Sequence, residues 1–264
     1  MVTSTGNNAP TVTSTEVTSV NEDVAYSYTF AATDADSGDV LTYAAATKPD
    51  WLDFNTSTRV LSGTPTNDHV GDHTIKLTAT DASGVLATQA FTLTVNNVND
   101  APTLSVTNGS LTENSGTYTA SGTLIGADVD VGTTLTYAVS SATGSFGNLT
   151  LDASTGSYTY TMDNSKSSVQ ALNGGQTLTE NFTVSVSDGI ATTSETLSFV
   201  INGANDTPTN LALSANSIAE NSAGAVVGTL SATDGDGDTL TYSLSSGGDN
   251  DSFEISGTTL KLKS

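Results

Sequence analysis

Apolar and polar residues alternate along most of this chain, in short runs separated by turn residues. In the clearest run, Tyr26, Tyr28 and Phe30 alternate with Ser27 and Thr29. Successive side chains of a β-strand point to opposite faces, so this period of two predicts half-buried strands. The same period predicts strands at 73–79, 91–95, 118–124, 135–139, 149–151, 158–162, 182–186, 197–201, 226–232, 240–244, 253–255 and 260–262. The sequence therefore predicts an all-β protein of tandem antiparallel Greek-key β-sandwiches, with a short helical turn near 168–172.

A short motif that joins the alternating runs recurs along the chain. It reads Asn-Val-Asn-Asp-Ala-Pro-Thr at 97–103, Asn-Asp-Thr-Pro-Thr at 205–209 and Asn-Asn-Ala-Pro-Thr at 7–11. Proline lacks an amide donor and pushes the preceding residue to extended geometry, so each copy is interpreted as a hinge between modules. The predicted modules are a linker remnant at 1–9, complete sandwiches at 10–98 and 99–204, and the N-terminal half of a sandwich at 205–264. We expect the chain to be a fragment of a longer protein.

The composition excludes several classes of protein. The 264 residues include 28 acidic and 6 basic ones, for a formal net charge of −22. This excess argues against nucleic acid and anionic membranes as partners, and it destabilises a compact fold unless cations are bound. The absence of cysteine excludes disulfides and thiolate zinc sites. The sequence contains no run of about 18 apolar residues, so it predicts no membrane-spanning helix. The N-terminus has no signal-peptide pattern.

Acidic residues recur in register with the hinge, at offsets of 106 or 107 residues between the second and third modules. Four features repeat: a glutamate before the first long strand, an Asp-x-Asp pair after it, an aspartate after the penultimate strand, and the hinge itself. The glutamates are Glu22, Glu113 and Glu220; the pairs are Asp34 and Asp36, Asp128 and Asp130, and Asp234 and Asp236; the late aspartates are Asp81 and Asp188. Equal offsets indicate that these acids act as one constellation.

The Asp-x-Asp spacing favours a metal site. Residues i and i+2 of an extended chain point the same way, so their carboxylates repel unless a cation lies between them. Calcium takes six to eight oxygen ligands, whereas nitrogen ligands could come only from His69 and His73. The alternative is a set of solvated acidic turns. The repetition in register favours calcium.

The combined motifs resemble known bacterial repeats. Trp51-Leu52-Asp53-Phe54 with the segment 61–65 and Thr80-Asp81 resembles the bacterial cadherin-like repeat of the dystroglycan or "putative Ig" type. Segments 147–151, 155–160, 163–164, 169–172 and 187–189 resemble the VCBS repeat of large RTX-type surface adhesins. Segments 218–221, 251–255 and 260–262 resemble the opening half of a cadherin domain.

This resemblance implies calcium at the module junctions. The implied ligands are Glu22, Asn97, Asn99, Asp100, Asp128, Asp130 and Asp188 at the first junction; Glu113, Asn205, Asp206, Asp234 and Asp236 at the second; Asp34, Asp36 and Asp81 toward an upstream module; and Glu220 as the third glutamate. The chain departs from the family at the start of the hinge, where Asn97 and Asn202 replace aspartate. It also lacks a clear mid-domain Asp-Arg-Glu, which predicts fewer or weaker calcium ions.

The function predicted first is non-enzymatic, since neither histidine lies in a recognisable nucleophile motif. We expect a calcium-rigidified repeat segment of a bacterial secreted or cell-surface adhesin, acting in adhesion, extension or biofilm, with type I secretion implied by resemblance. The alternative is a carbohydrate-binding accessory module, for which Trp51 is either a core aromatic or a sugar-stacking platform. Homophilic adhesion is a third hypothesis, so glycans and further copies of the chain join calcium as candidate partners.

Overall fold

The computed structural model describes residues 6–219 and 223–264. In this part of the chain, helix is limited to α1 (Ser167–Gln170) and two short 3-10 turns, Asn67–His69 and Gly248–Ser252. The remaining regular structure is β-strand, so the all-β prediction is confirmed.

The chain forms two compact units. The first contains the residues up to Asp100 together with Asp128–Thr133, and the second contains Ala101–Ala127 and the residues from Thr134 onwards. The loop Asp128–Thr133 therefore packs with the first unit.

The first unit contains three sheets. Its strands are β1 (Thr11–Val12), β2 (Ser19–Asn21), β3 (Tyr26–Thr29), β4 (Ala32–Thr33), β5 (Thr42–Thr47), β6 (Asp53–Asn55), β7 (Val60–Gly63), β8 (Gly71–Thr80) and β9 (Leu86–Asn96). The sheet orders are β2-β9-β8-β5, β3-β7-β6 and β1-β4. All pairs are antiparallel except β2 with β9, which is parallel. The edge strand β2 is therefore held beside the end of β9, where the chain leaves the unit.

The second unit repeats this arrangement strand for strand. Its first nine strands are β10 (Thr103–Ser105), β11 (Gly109–Thr112), β12 (Thr119–Thr123), β13 (Ile125–Ala127), β14 (Thr136–Val139), β15 (Gly147–Leu151), β16 (Ser157–Met162), β17 (Thr177–Ser187) and β18 (Thr192–Asn202). The sheet orders are β11-β18-β17-β14, β12-β16-β15 and β10-β13, again with one parallel pair, β11 with β18. The repeated strand order gives equivalent residues equivalent surroundings.

Each nine-stranded set encloses its own hydrophobic core between the two larger sheets. In the first unit, Tyr28 and Leu61 of one sheet meet Ile75 and Leu93 of the other. In the second, the rings of Tyr160 and Phe199 stack with centroids 4.4 Å apart and an interplanar angle of 17°. The inward positions are those that the alternation selects, because strand side chains alternate between faces.

A further sheet follows in the second unit. It has the order β19-β20-β22-β21, with β19 (Thr209–Leu213), β20 (Val226–Thr233), β21 (Phe253–Ser256) and β22 (Thr259–Leu262). The predicted strand at 240–244 is wrong, because these residues have no strand partner in the described part of the chain and adopt no regular structure. Alternation marks which side chains prefer burial, but a strand also needs a hydrogen-bonded neighbour.

The turn between β15 and β16 depends on Asp152. Its carboxylate accepts hydrogen bonds from the hydroxyl and the N–H of Ser154 and from the N–H of Thr155. These bonds favour the charged form and lower the pKa of Asp152 to about 2. We expect the Asp152 Cγ resonance to titrate near this value by carboxyl NMR, and the stabilisation of the turn to disappear as the pH falls through it. Ser154→Ala should raise the midpoint, and a wild-type midpoint near 3.8 would contradict this assignment.

No membrane-spanning helix occurs in residues 6–219 and 223–264, since none of their helices has the length and apolar character that a span needs.

Candidate metal centres

Two buried glutamates occupy equivalent positions in the two units. Glu22 follows β2, and Glu113 follows β11; their side chains are 2% and 0% exposed. Their N–H groups extend the parallel ladder by donating to the carbonyls of Asn96 (3.1 Å) and Asn202 (3.0 Å). The next residue in each case has a positive φ, which turns the chain away and leaves the glutamate at the strand end.

Each glutamate binds the start of the linker that follows the last long strand of its own nine-stranded set. The Glu22 Oε1 atom accepts a hydrogen bond from the N–H of Val98 at 2.6 Å. The Glu113 Oε1 atom accepts one from the N–H of Ala204 at 2.9 Å. The two hydrogen bonds join residues that are 76 and 91 positions apart in the sequence. Each carboxylate therefore fixes where its linker begins.

The second aspartate of each Asp-x-Asp pair holds the same linkers a few residues later. The N–H of Asp100 donates to Asp130 Oδ2 at 2.8 Å, and the N–H of Asp206 donates to Asp236 Oδ2 at 2.6 Å. At the start of the chain, the N–H of Asn8 donates to Asp36 Oδ2 at 2.6 Å. The hinge and the acidic pair are therefore one repeated structural unit.

The first aspartate of each pair stabilises its own loop. Asp34 Oδ1 accepts the N–H of Asp36, and Asp128 Oδ1 accepts the N–H of Asp130, both at 2.8 Å. In the third loop, Asp234 Oδ1 accepts the N–H of Asp236 at 3.2 Å. These contacts turn the loop and use only one oxygen of each aspartate.

Seven carboxylate oxygens of these acidic residues and of Asp39 are buried and have no hydrogen-bond donor. The atoms in this state, within the described residues, are Glu22 Oε2, Asp34 Oδ2, Asp39 Oδ2, Glu113 Oε2, Asp128 Oδ2, Asp130 Oδ1 and Asp236 Oδ1. Burying a charged oxygen without a partner is costly, and a bound cation removes that cost.

Carboxylates of the described residues converge in three groups. Glu22, Asp100 and Asp130 each offer an oxygen within 4.8 Å of the others; so do Asp34, Asp39 and Asp81, and so do Asp234, Asp236 and Asp238. In the described residues, the only ion pair between side chains joins Lys261 to Glu254 at 3.0 Å, and neither belongs to a group. No basic side chain therefore neutralises these acids.

Burial and, to a smaller extent, neighbouring acids raise the pKa values of two of these carboxyl groups. Burial, together with the charges of Asp206 and Asp236, raises the pKa of Glu113, although the N–H of Ala204 partly offsets the effect. Desolvation and the charges of Asp34, Asp81 and Asp36 raise the pKa of Asp39. These groups resist ionisation in the absence of a cation.

Asp81 is the exception, because donors surround it. It is 5% exposed, and Asn7 Nδ2 donates to its Oδ2 at 2.9 Å, while the N–H groups of Ser83 and Val85 donate to its Oδ1. The Asn7 hydrogen bond is the main cause of its lowered pKa. Asp81 is thus held ionised within its group.

The other predicted ligands in the described residues lie outside the three groups, and Glu113 and Asp206 are among them. Both carboxylate oxygens of Asp36 accept hydrogen bonds from Asn8. The side chains of Asn99 and Asn205 donate to the carbonyls of Asp100 and Asp206. Asn97 is exposed, Asp128 lies in the loop of Asp130, and Asp188 accepts N–H groups of its own turn. Glu220 lies outside the described residues.

The structure adds four residues that the sequence reasoning missed. Asp39 and Asp238 join two of the groups. Asn67 Nδ2 donates to Asp100 Oδ2 at 2.7 Å, and Asn114 Nδ2 donates to Asp206 Oδ1 at 2.6 Å. Asn67 is 33 residues from Asp100 and Asn114 is 92 from Asp206, so a search for nearby acidic pairs does not find them.

The donor set fits a hard divalent cation. The groups offer carboxylate oxygens only, with no nitrogen or sulfur ligand among their members. Calcium prefers this chemistry at six to eight coordination positions. Glu22 and Glu113 would hold such a cation through their buried oxygens that lack a donor.

Two family models match successive parts of the chain. Residues 9–96 match the model described as "Putative Ig domain", and residues 99–203 match the model described as "Bacterial cadherin-like domain". A comparison with curated protein sequences gave no match. The matched ranges correspond to the two nine-stranded sets of the structure.

Solved cadherin structures have a similar fold. Human CDH23 EC21-23 superposes with a TM-score of 0.57 at 19% identity, covering 93% of this chain and 87% of that one. Mouse Cadherin-23 EC22-24 gives 0.57 at 18%, covering 97% and 89%. Protocadherin Gamma B2 cadherin domains 3-6 give 0.58 at 17%, covering 97% and 64%. At these identities the likeness establishes a cadherin-like β-sandwich fold.

Proposed function

We propose that this chain is a calcium-binding repeat segment of a bacterial secreted or cell-surface adhesin, in which calcium fixes the linkers between repeats. The observation that carries the proposal is the repeated set of buried carboxylate oxygens without donors, with Glu22 and Glu113 as its fully buried members. Calcium is the cation that this oxygen set suits best. The match of residues 99–203 to a bacterial cadherin-like model supports an adhesion-type repeat.

The mechanism is a linkage between cation binding and linker order. Asp100 and Asp206 lie in the linkers. A carboxylate oxygen of Asp100 is within 4.8 Å of those of Glu22 and Asp130, and the charges of Asp206 and Asp236 both act on Glu113. Without a cation, these like charges repel. A bound calcium ion would bridge linker and loop, and it would stabilise the folded arrangement by mass action.

The repeat boundaries and the repeat type follow from the same repetition. We assign three repeats, at 10–98, 99–204 and 205–264, with the second of the VCBS type found in RTX-type surface adhesins. Their role is to extend and present other parts of the parent protein, rather than to catalyse a reaction. Extracellular calcium modules bind with dissociation constants of about 10⁻⁴–10⁻³ M. We therefore expect such sites to fill at millimolar calcium.

The carbohydrate-binding alternative receives less support. Trp51 is half-buried and packs against the first core cluster, and its ring lies 5.7 Å from that of His69 and 5.8 Å from that of His73. These contacts favour the core interpretation of this tryptophan over a sugar-stacking platform.

Thermal unfolding combined with small-angle X-ray scattering tests the proposal. At a calcium concentration ten times the dissociation constant, which corresponds to about 1–10 mM, each site adds about 1.4 kcal/mol. We therefore expect millimolar calcium to raise the unfolding midpoint by several degrees relative to excess chelator, and to lengthen the particle. Magnesium at equal ionic strength is the control, because its demand for near-ideal octahedral geometry makes it a poor substitute.

An identical midpoint and particle size in calcium and in chelator would refute the proposal. In that case glycan binding is the next function to test. A calcium-dependent increase in mass would instead indicate self-association.

A further inference from the structure

The three acidic loops differ at one equivalent position. In each loop a glycine with positive φ, namely Gly38 (100°), Gly132 (86°) or Gly237 (74°), precedes that position. Asp39 follows the first glycine, Thr133 the second and Asp238 the third. Since a positive φ reverses the chain in the same way each time, the three residues occupy corresponding places in their loops.

The aspartates at this position join the acid groups. Asp39 offers an oxygen within 4.8 Å of those of Asp34 and Asp81, and Asp238 does the same toward Asp234 and Asp236. The Asp39 Oδ2 atom is buried without a donor. The turn thus returns a third carboxylate toward the first aspartate of the loop.

The middle loop has no carboxylate at this place. Thr133 Oγ1 donates to the carbonyl of Asp130 at 3.0 Å, which supports the loop but provides no charge. The centre beside it nevertheless has a buried carboxylate oxygen without a donor. Glu22 is 2% exposed, its Oε2 atom has no hydrogen-bond partner, and the residue offers a carboxylate oxygen within 4.8 Å of those of Asp100 and Asp130. Glu113 also has a buried oxygen without a donor, and the charges of Asp206 in the linker and of Asp236 in the third loop act on it.

We propose that the residue after the loop glycine sets the cation affinity of each centre, and that Thr133 makes the centre of Glu22, Asp100 and Asp130 the weakest. This inference rests on the proposed function. Calcium affinity follows the number of charged ligands. At the equivalent places of glutamate, linker and loop, the first centre has the carboxylates of Glu22, Asp100, Asp128 and Asp130, whereas the second has those of Glu113, Asp206, Asp234, Asp236 and Asp238. The first centre therefore has one carboxylate fewer. As the calcium concentration falls, the linker at Asp100 loses its cation before the linker at Asp206 does. The two linkers are therefore released at different calcium concentrations.

Calcium titration of the full chain followed by backbone NMR tests this order. The N–H groups of Asp100 and Asp206 each donate to a carboxylate of their own centre, so they report each site separately. In the wild type we expect the Asp100 resonance to shift at higher calcium than that of Asp206. Thr133→Asp should lower the Asp100 midpoint by about tenfold and leave that of Asp206 unchanged.

Two further variants make the result specific. Thr134→Asp adds the same charge at the exposed neighbouring residue and should move the Asp100 midpoint much less than Thr133→Asp does. Asp238→Thr should raise the Asp206 midpoint, which tests the position in the opposite direction.

Equal wild-type midpoints, or equal effects of Thr133→Asp and Thr134→Asp, would overturn the inference while leaving calcium binding in place. If neither resonance responds to calcium, the proposed function itself fails, and the graded affinity fails with it.

Discussion

Replacing Glu113 by glutamine is expected to stabilise the calcium-free protein and to remove most of the gain that calcium gives to the second unit. Glu113 is fully buried, and one of its oxygens has no donor. An unsatisfied buried charge of this kind destabilises by about 1–3 kcal/mol. Glutamine is uncharged, and its carbonyl oxygen can still accept the N–H of Ala204, so the linker contact survives in the variant.

The sign of the effect follows from the pKa of Glu113. Burial raises it above the unfolded value, so the stability that this group contributes is present at low pH and is lost as the pH rises through the folded pKa. At neutral pH the ionised carboxylate therefore opposes folding unless a cation compensates it. Glu113→Gln should raise the midpoint in chelator and lower the increment that calcium adds.

Glu180→Gln is the matched control in the same unit. Glu180 is also buried, at 4% exposure, but its two oxygens accept the N–H groups of Ser145 (2.7 Å) and Phe146 (2.6 Å). Its charge is thus satisfied by donors, and glutamine would present an amide donor to one of them. We expect Glu180→Gln to lower the midpoint equally in calcium and in chelator.

Circular dichroism gives the overall transition, and the fluorescence of Trp51, the only tryptophan, follows the first unit. A lowered midpoint of Glu113→Gln in chelator would contradict the electrostatic interpretation. An undiminished calcium increment in this variant would remove Glu113 from the centre.

The strands were predictable because their chemistry is local. Tyr158 and Tyr160 alternate with Thr159 in the sequence and are buried on one face of β16, as the period of two requires. The segment 240–244 shows the same signal without forming a strand, because pairing depends on a neighbouring strand that local alternation does not specify.

The acid groups were only partly predictable, for a geometric reason. The repeat in register found Glu22, Asp100 and Asp130, which do converge. It missed Asp39, because the i, i+2 rule describes an extended chain, whereas the positive φ of Gly38 turns the loop and brings a later residue back. Asn67 was missed because its contact with Asp100 depends on the tertiary fold.

The stability of the second core should be separable from the calcium centres, and Phe199→Ala tests this. The ring of Phe199 is fully buried, stacks on Tyr160 and meets Tyr158 and Phe182 edge-on at 6.1 Å. Its contact with Gly109 is so close that a Cβ built on the glycine would lie 2.8 Å from the ring. Removing a buried phenylalanine ring costs about 3–5 kcal/mol, a large part of the 5–15 kcal/mol that stabilises a typical domain.

None of these contacts of Phe199 involves a carboxylate, so its loss should lower stability by the same amount in calcium and in chelator. Denaturant unfolding in both conditions measures the two values, and Phe199→Leu, which leaves a smaller cavity, should give a smaller loss in each. A calcium increment that survives Phe199→Ala but not Glu113→Gln would show that packing holds the sandwich, while the cation acts on the linker alone. If Phe199→Ala abolished the increment as well, the core and the acid groups would be coupled, and the linker could not be the separate calcium-sensitive element proposed above.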